Sequence, residues 1–97
     1  MKDEILNLND VELRKVTVAE WKRDVCVRVM SGAERDKFNI ANGKSMDNLR
    51  ARLCAVCLCD DKGVRLFTDD YAEALGQKNS NAINKVFEAA FELNQIG

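Results

Sequence analysis

The chain contains no histidine and no proline, and its 97 residues include one tryptophan and one tyrosine. Each shortage removes something. Without histidine, a cysteine nucleophile lacks its usual base, and a zinc ion would need four ligands without any imidazole. Without proline, segment boundaries fall to glycine, asparagine, aspartate and serine. Long apolar runs are missing too, none approaching the ~18 residues that a bilayer span requires, so no membrane insertion is expected. Charge of one sign is also lacking. Fifteen basic residues against sixteen acidic ones leave −1, which gives no general attraction to nucleic acid or anionic lipid. The opening MKDEILNLND is polar, with no apolar signal core, and a cytoplasmic location is the expectation. What is present suits one small soluble domain over residues 1–97: hydrophobic residues at 46% and charged residues at 32% are ordinary for that class.

Four cysteines call for a decision. Cys26 stands alone, and Cys54, Cys57 and Cys59 form C-x-x-C-x-C within LRARLCAVCLCDD. The stretch reads as an apolar helix with no glycine knuckle. At ~100° per residue, residues 54 and 57 share a face while Cys59 points roughly 160° away from Cys57. Without a secretion signal a disulfide framework is not expected. Cysteine packs well as a small hydrophobe, so the thiols are read as core residues in preference to metal ligands or redox groups. No metal-binding residue and no cofactor are assigned.

Residues 25–38, VCVRVMSGAERDKF, carry the densest structural signal. Val25, Val27 and Val29 alternate with Cys26, Arg28 and Met30, the period of a strand with one buried face. Ser31 and Glu34 then have the spacing of a capping box, so a strand hands directly to a helix. Upstream, residues 1–12 read as loosely ordered with a helical turn near Ile5 and Leu6. A strand follows at about 14–20 with Val16 and Val18 on one face, and Lys22, Arg23 and Asp24 form the turn of a hairpin over 13–30. Such a hairpin is marginal alone, and helices over 31–97 must cover its valine face. The expectation is α+β, mostly α, with a small N-terminal β-hairpin packed against about four helices. The first helix runs from Ser31 to about Ala41, with Asn42-Gly43 closing it. Ser45 or Asp47 caps a second, apolar nearly all round from Leu49 to Cys59. Asp60 to Gly63 make a turn, and Val64 to Phe67 offer a short third strand. Thr68 caps a third helix ending at Gly76. The last starts near Asn79 or Ser80, with Ile83, Val86, Phe87, Ala90 and Leu93 on one stripe.

No catalytic constellation emerges. Asp60-Asp61 and Asp69-Asp70 sit where turns and helix starts favour aspartate. Asp-Asp-Lys-Gly lacks the spaced ligands of a calcium loop, and Gly63 and Gly76 stand in no phosphate-cradling pattern. Trp21 and Tyr71 are not interleaved with basic residues and read as packing groups. No catalytic or cofactor-binding residue is assigned, and the chain is not read as an enzyme. The remaining role is binding through a surface. Phe87 and Phe91, four residues apart on the last helix, are the candidate partner-binding residues, with completion of the core as their alternative role.

Several stretches taken together resemble the tail assembly chaperones of long-tailed, lambdoid-type bacteriophages. They are V-T-V-A-E-W (16–21), V-R-V-M-S-G-A-E-R-D-K-F (27–38), N-L-R-A-R-L (48–53), D-D-K-G-V-R-L-F-T-D-D (60–70), A-L-G-Q-K-N (74–79) and F-E-A-A-F-E-L-N (87–94). Ala19 departs from the pattern, since relatives often carry proline before the Glu-Trp pair. The resemblance implies a factor of the host bacterial cytoplasm, absent from the mature virion. It would bind the tape measure protein, with the major tail protein as a further partner, and would form homo-oligomers. Two other readings stand beside it: another phage tail or head-tail joining component, or a small Cys-rich metal or redox protein.

Overall fold

Alternating valines build the sheet. β1 (Leu13–Val18) and β2 (Arg23–Arg28) pair antiparallel with Val16 opposite Val25. Residues two apart share a face, so Val16, Val18, Val25 and Val27 all face one side, where Val18 and Val27 are fully buried. The ladder continues past β1, the Val29 amide donating to the Glu12 carbonyl. In this computed structural model, which describes residues 1–96, helices cover that face. The remaining elements are α1 (Lys2–Leu6), α2 (Gly32–Lys44), α3 (Leu49–Cys57), β3 (Leu58–Cys59), α4 (Ala72–Gly76) and α5 (Ser80–Leu93). β3 lies beside β2, giving the antiparallel order β1-β2-β3. The α+β, mostly helical architecture read from the sequence is borne out.

α3 runs through the middle of the domain, with α4 and α5 packed on it and α5 also lying across β1 and β2. Six of the nine α3 residues are buried, which explains its all-round apolar character. On α5, Ala82, Ile83, Val86 and Ala90 are buried. Two ion pairs at the surface bridge α5 to the hairpin: Arg14 of β1 with Glu92, and Glu20, just beyond β1, with Lys85. α2 touches the body along a narrow line, Phe38 being its one buried residue.

Several boundaries differ from the sequence reading. The hairpin turn is a 3-10 turn, Ala19–Trp21, closed by Lys22 at φ 54°; Arg23 and Asp24 already belong to β2. Asn42 and Gly43 do not end α2, which continues to Lys44 with Ser45 extended behind it. Arg52 replaces the glycine cap, donating to the Ser45 carbonyl at 2.8 Å, the Asp47 carbonyl at 3.0 Å and Asn42 Oδ1 at 2.7 Å. α3 starts after Asn48, in the left-handed region at φ 56°, and not from a Ser45 or Asp47 cap. It stops at Cys57, two residues early. Leu58 and Cys59 become the third strand, pairing with Val27 and Cys26. Val64–Phe67 is therefore not that strand; Arg65 makes a single bridge to Cys59 on the far side. Thr68 leads into a 3-10 turn, Asp69–Tyr71, before α4 begins, and its hydroxyl bonds the Asp70 carboxylate instead of a helix amide.

Three expected features are present. The capping box is complete, Glu34 N donating to Ser31 Oγ at 3.2 Å and Ser31 N to Glu34 Oε1 at 2.9 Å. The 60–63 turn closes around Asp60, whose carboxylate accepts from Lys62 N and Val64 N. Those backbone donors, Val64 first, hold its carboxyl below the ordinary range. Gly63 at φ 86° completes the turn, and a Cβ there would lie 3.2 Å from Val11 Cγ1. Asn79 caps α5, accepting from Asn81 N and Ala82 N.

One polar contact inside the core had no local signature. Asn94, 4% exposed, accepts from Met30 N at 2.7 Å. Its amide nitrogen donates to the carbonyls of Ala90 at 2.8 Å and Arg28 at 3.3 Å. The end of α5 is thereby locked to the end of β2. Losing a buried partner on both strand groups costs more than losing an exposed cap. Asn94→Ala is expected to destabilise by about 3 kcal/mol and Ser31→Ala by about 1 kcal/mol, measured as denaturant midpoints at constant slope. Equal midpoints for the two variants would contradict this ranking.

Candidate protein-interaction surfaces

Where β2 meets α2, four side chains form a partly buried charge cluster. Arg28 leaves the strand with 8% exposure and donates to Glu34 and to the Val56 carbonyl at 3.1 Å. Arg65 donates to the Ala55 carbonyl at 3.0 Å and to Asp69 at 2.8 Å, and lies 3.9 Å from Glu34. Lys37 adds an ion pair to Asp69 at 3.4 Å. Burial pushes the Glu34 carboxyl up, but the Arg28 hydrogen bond and the Ser31 amide outweigh it and hold it below its ordinary value. Arg65 does the same for Asp69. Neither carboxyl is tuned to carry a proton near neutral pH. Together the two arginines take the Ala55 and Val56 carbonyls, two of those at the end of α3 that have no partner inside the helix. The cluster is structural cement.

The thiols are packed away. Cys54 and Cys57 are fully buried and Cys59 nearly so, while Cys26 is half-buried. Burial, then the neighbouring Cys57, pushes Cys54 up to about 12, and burial does the same to Cys57. Such thiols stay protonated and are poor nucleophiles. Cys59, with its thiol also raised by burial, sits on β3 and not on the helix assigned to it. The aspartate pairs are divided among turn, cap and ion-pair duties: Asp60 in its turn, Asp61 exposed, Asp69 on Arg65, Asp70 on Thr68.

Two open grooves of about 510 Å³ each flank α3. The first lies between α2 and the 3-10 turn before α4, over Phe38, Val56 and Ala72, with charges of both signs in its lining, Asp47, Asp70 and Glu73 beside Lys37, Arg52 and Arg65. The second lies between the start of α3, the end of α4 and α5. Met46, Leu49, Ile83 and Phe87 supply its apolar surface, Arg50 and Lys78 its charge, and no carboxylate lines it. The structure separates the two aromatic candidates. Phe87 is half-buried and lines this cationic groove, the Arg50 guanidinium 5.5 Å above its ring. Phe91, also half-buried, stacks on Phe87 at 5.5 Å between ring centroids but lies outside the lining. Sequence reasoning missed Met46, Leu49, Arg50 and Lys78, whose convergence depends on how α3, α4 and α5 pack.

No protein-family profile matches the chain, and no curated protein sequence matches it. Its fold matches a solved structure, the tail assembly chaperone of bacteriophage HK97, with a TM-score of 0.71 at 18% identity, over 96% of this chain and 95% of that one. The resemblance read from the sequence is thus met by a shared fold along nearly the whole length.

The carboxyl shifts carry a pH dependence with a definite sign. A carboxyl held lower in the folded state adds stability that is complete above its unfolded pKa and vanishes as pH falls through the folded one. For Glu34 and Asp69 the ordinary values are 4.5 and 3.8, so stability is expected to fall below pH 4.5. Glu34→Gln lowers stability near neutrality and makes the acid decline shallower. Denaturant melts from about pH 3 to 7 check this, and equal acid slopes for both proteins would remove Glu34 from the linkage.

Proposed function

We propose that this chain is a phage tail assembly chaperone. It binds the tape measure protein in the cytoplasm of the infected host, self-associates, and assists formation of the tail tube without entering the virion. The observation that carries the reading is the fold shared with a protein of that role across nearly the entire chain. Two further features support it. The thiols are raised and buried, and the carboxylates are committed to arginines, caps and turns. The unspent potential lies in grooves with apolar floors, suited to helical partners. Phe91, beside the cationic groove, is the proposed client contact, and Phe87 supports it by stacking.

Co-expression with the tape measure protein from the same phage genome is the test. This chain is expected to raise that protein's soluble yield and to co-purify with it. Phe91→Ser is expected to keep a cooperative melt and to lose most of the co-purified partner. Unfolding of that variant would make Phe91 a core residue and move the contact elsewhere. If the intact chain neither binds nor solubilises the tape measure protein, the proposal fails.

A further inference from the structure

Two thiols face each other across the sheet. Val25 and Val27 point toward the helices, so Cys26 between them points to the opposite face, where its antiparallel partner on β3 is Cys59. The main chain shows how closely they pair. Leu66 N donates to the Leu58 carbonyl and Asp60 N to the Val64 carbonyl. Residues 58 and 60 thus turn their polar groups away from β2, and Cys59 turns its own toward Cys26. Partners of that kind stand ~5.5 Å apart at Cα, within the ~4.4–6.8 Å that a disulfide spans. Their Cβ atoms, at ~4.5–5.5 Å, lie slightly beyond the ~3.5–4.5 Å of a bridged pair. A bond between them would draw the two strands together and would be readily reduced.

Access sets the order of events. Cys26 is half-buried and Cys59 only 2% exposed, so a reagent from solvent meets Cys26 first. Burial, then the neighbouring Cys26, raises the Cys59 thiol, which keeps Cys59 from acting first. Cys54 and Cys57 offer no second entry, both being fully buried, with Cys54 on the Ile83 carbonyl and Cys57 on Asn94. We propose that Cys26 and Cys59 form a reversible exchange site for small-molecule disulfides of the glutathione class. The Cys26 thiolate attacks one sulfur of the small disulfide, whose S–S bond breaks and releases one thiolate. Cys59 then loses its proton, and its sulfur attacks Cys26 Sγ and expels the second thiolate. Two protein thiols are oxidised to one disulfide, and the small disulfide is reduced to two thiols that take up both protons. In a reducing cytoplasm the pair stays open. An oxidised glutathione pool closes it, tying β2 to β3 at the end of α3.

The test incubates the reduced, folded full-length chain with glutathione disulfide, quenches with acid, and reads the product by intact mass and peptide mapping. The expected product has lost two hydrogens, joins the Cys26 peptide to the Cys59 peptide, and keeps Cys54 and Cys57 free. Excess reduced glutathione is expected to reopen it. Cys59→Ala is expected to stop at a single glutathione adduct on Cys26. Cys26→Ala is expected to react at least about tenfold more slowly than the wild type, because the remaining thiols are shielded. Circular dichroism melts check that both variants fold, and the wild-type crosslink map stands without them. Four results overturn the inference: a wild type that stays fully reduced, one that accumulates the Cys26 adduct without closing, a crosslink that includes Cys54 or Cys57, or a folded Cys26→Ala variant that reacts as fast as the wild type.

Discussion

The contact between Arg28 and Glu34 holds the domain's parts in register. A guanidinium at 8% exposure is costly to bury, and it is tolerated because Glu34 and the Val56 carbonyl meet it. The same carboxylate closes the capping box through Ser31 N. The pair therefore links the start of α2, through Glu34, to the end of α3, through Arg28 at the end of β2. Arg65 stands alongside on the Ala55 carbonyl. With those carbonyls occupied, α3 needs no glycine cap and turns at once into β3. β3 then pairs with β2 through Val27 and Cys26.

Arg28 and Asn94 act as a pair of fasteners on one strand end. Asn94 takes Met30 N and the Arg28 carbonyl, binding β2 to α5, while the Arg28 side chain binds β2 to α2 and α3. Asn94 has its hydrogen bonds met and Arg28 has them at all but its Nε, so moving either group would strand buried partners. The cores of α3 and α5 supply the apolar surface removed from water, and the fasteners select where each helix lies.

Features that depend on neighbours in sequence were legible from it. The Ser31–Glu34 box, the Asn79 cap, the Asp60–Gly63 turn and the α5 stripe all formed as read, because partners three or four residues apart leave a local pattern. Features set by distant partners were not. Arg28 occupies a position that alternation assigns to the solvent side of a hairpin, and only Glu34 and Val56 make its burial tolerable. Leu58 and Cys59 carry a helical-looking pattern but pair with Val27 and Cys26, where ladder hydrogen bonds replace helical ones. Gly43 resembles a helix end, yet Arg52, nine residues on, supplies the cap. Phe87 and Phe91 were visible as aromatics in excess of need. That only Phe87 lines a groove, and that the groove is cationic, required the packing of three helices.

The account's central claim is that the Arg28–Glu34 pair is a coupled structural unit and not two independent surface charges. A double-mutant cycle with Arg28→Met, Glu34→Gln and the double variant measures this directly. Removing one partner of a buried pair strands the other, at about 3–5 kcal/mol, whereas removing both relieves that penalty. The double variant should be more stable than the sum of the single losses implies, by about 2 kcal/mol or more. Additive losses would mean that the two side chains do not depend on each other, and the junction would have to be held by something else.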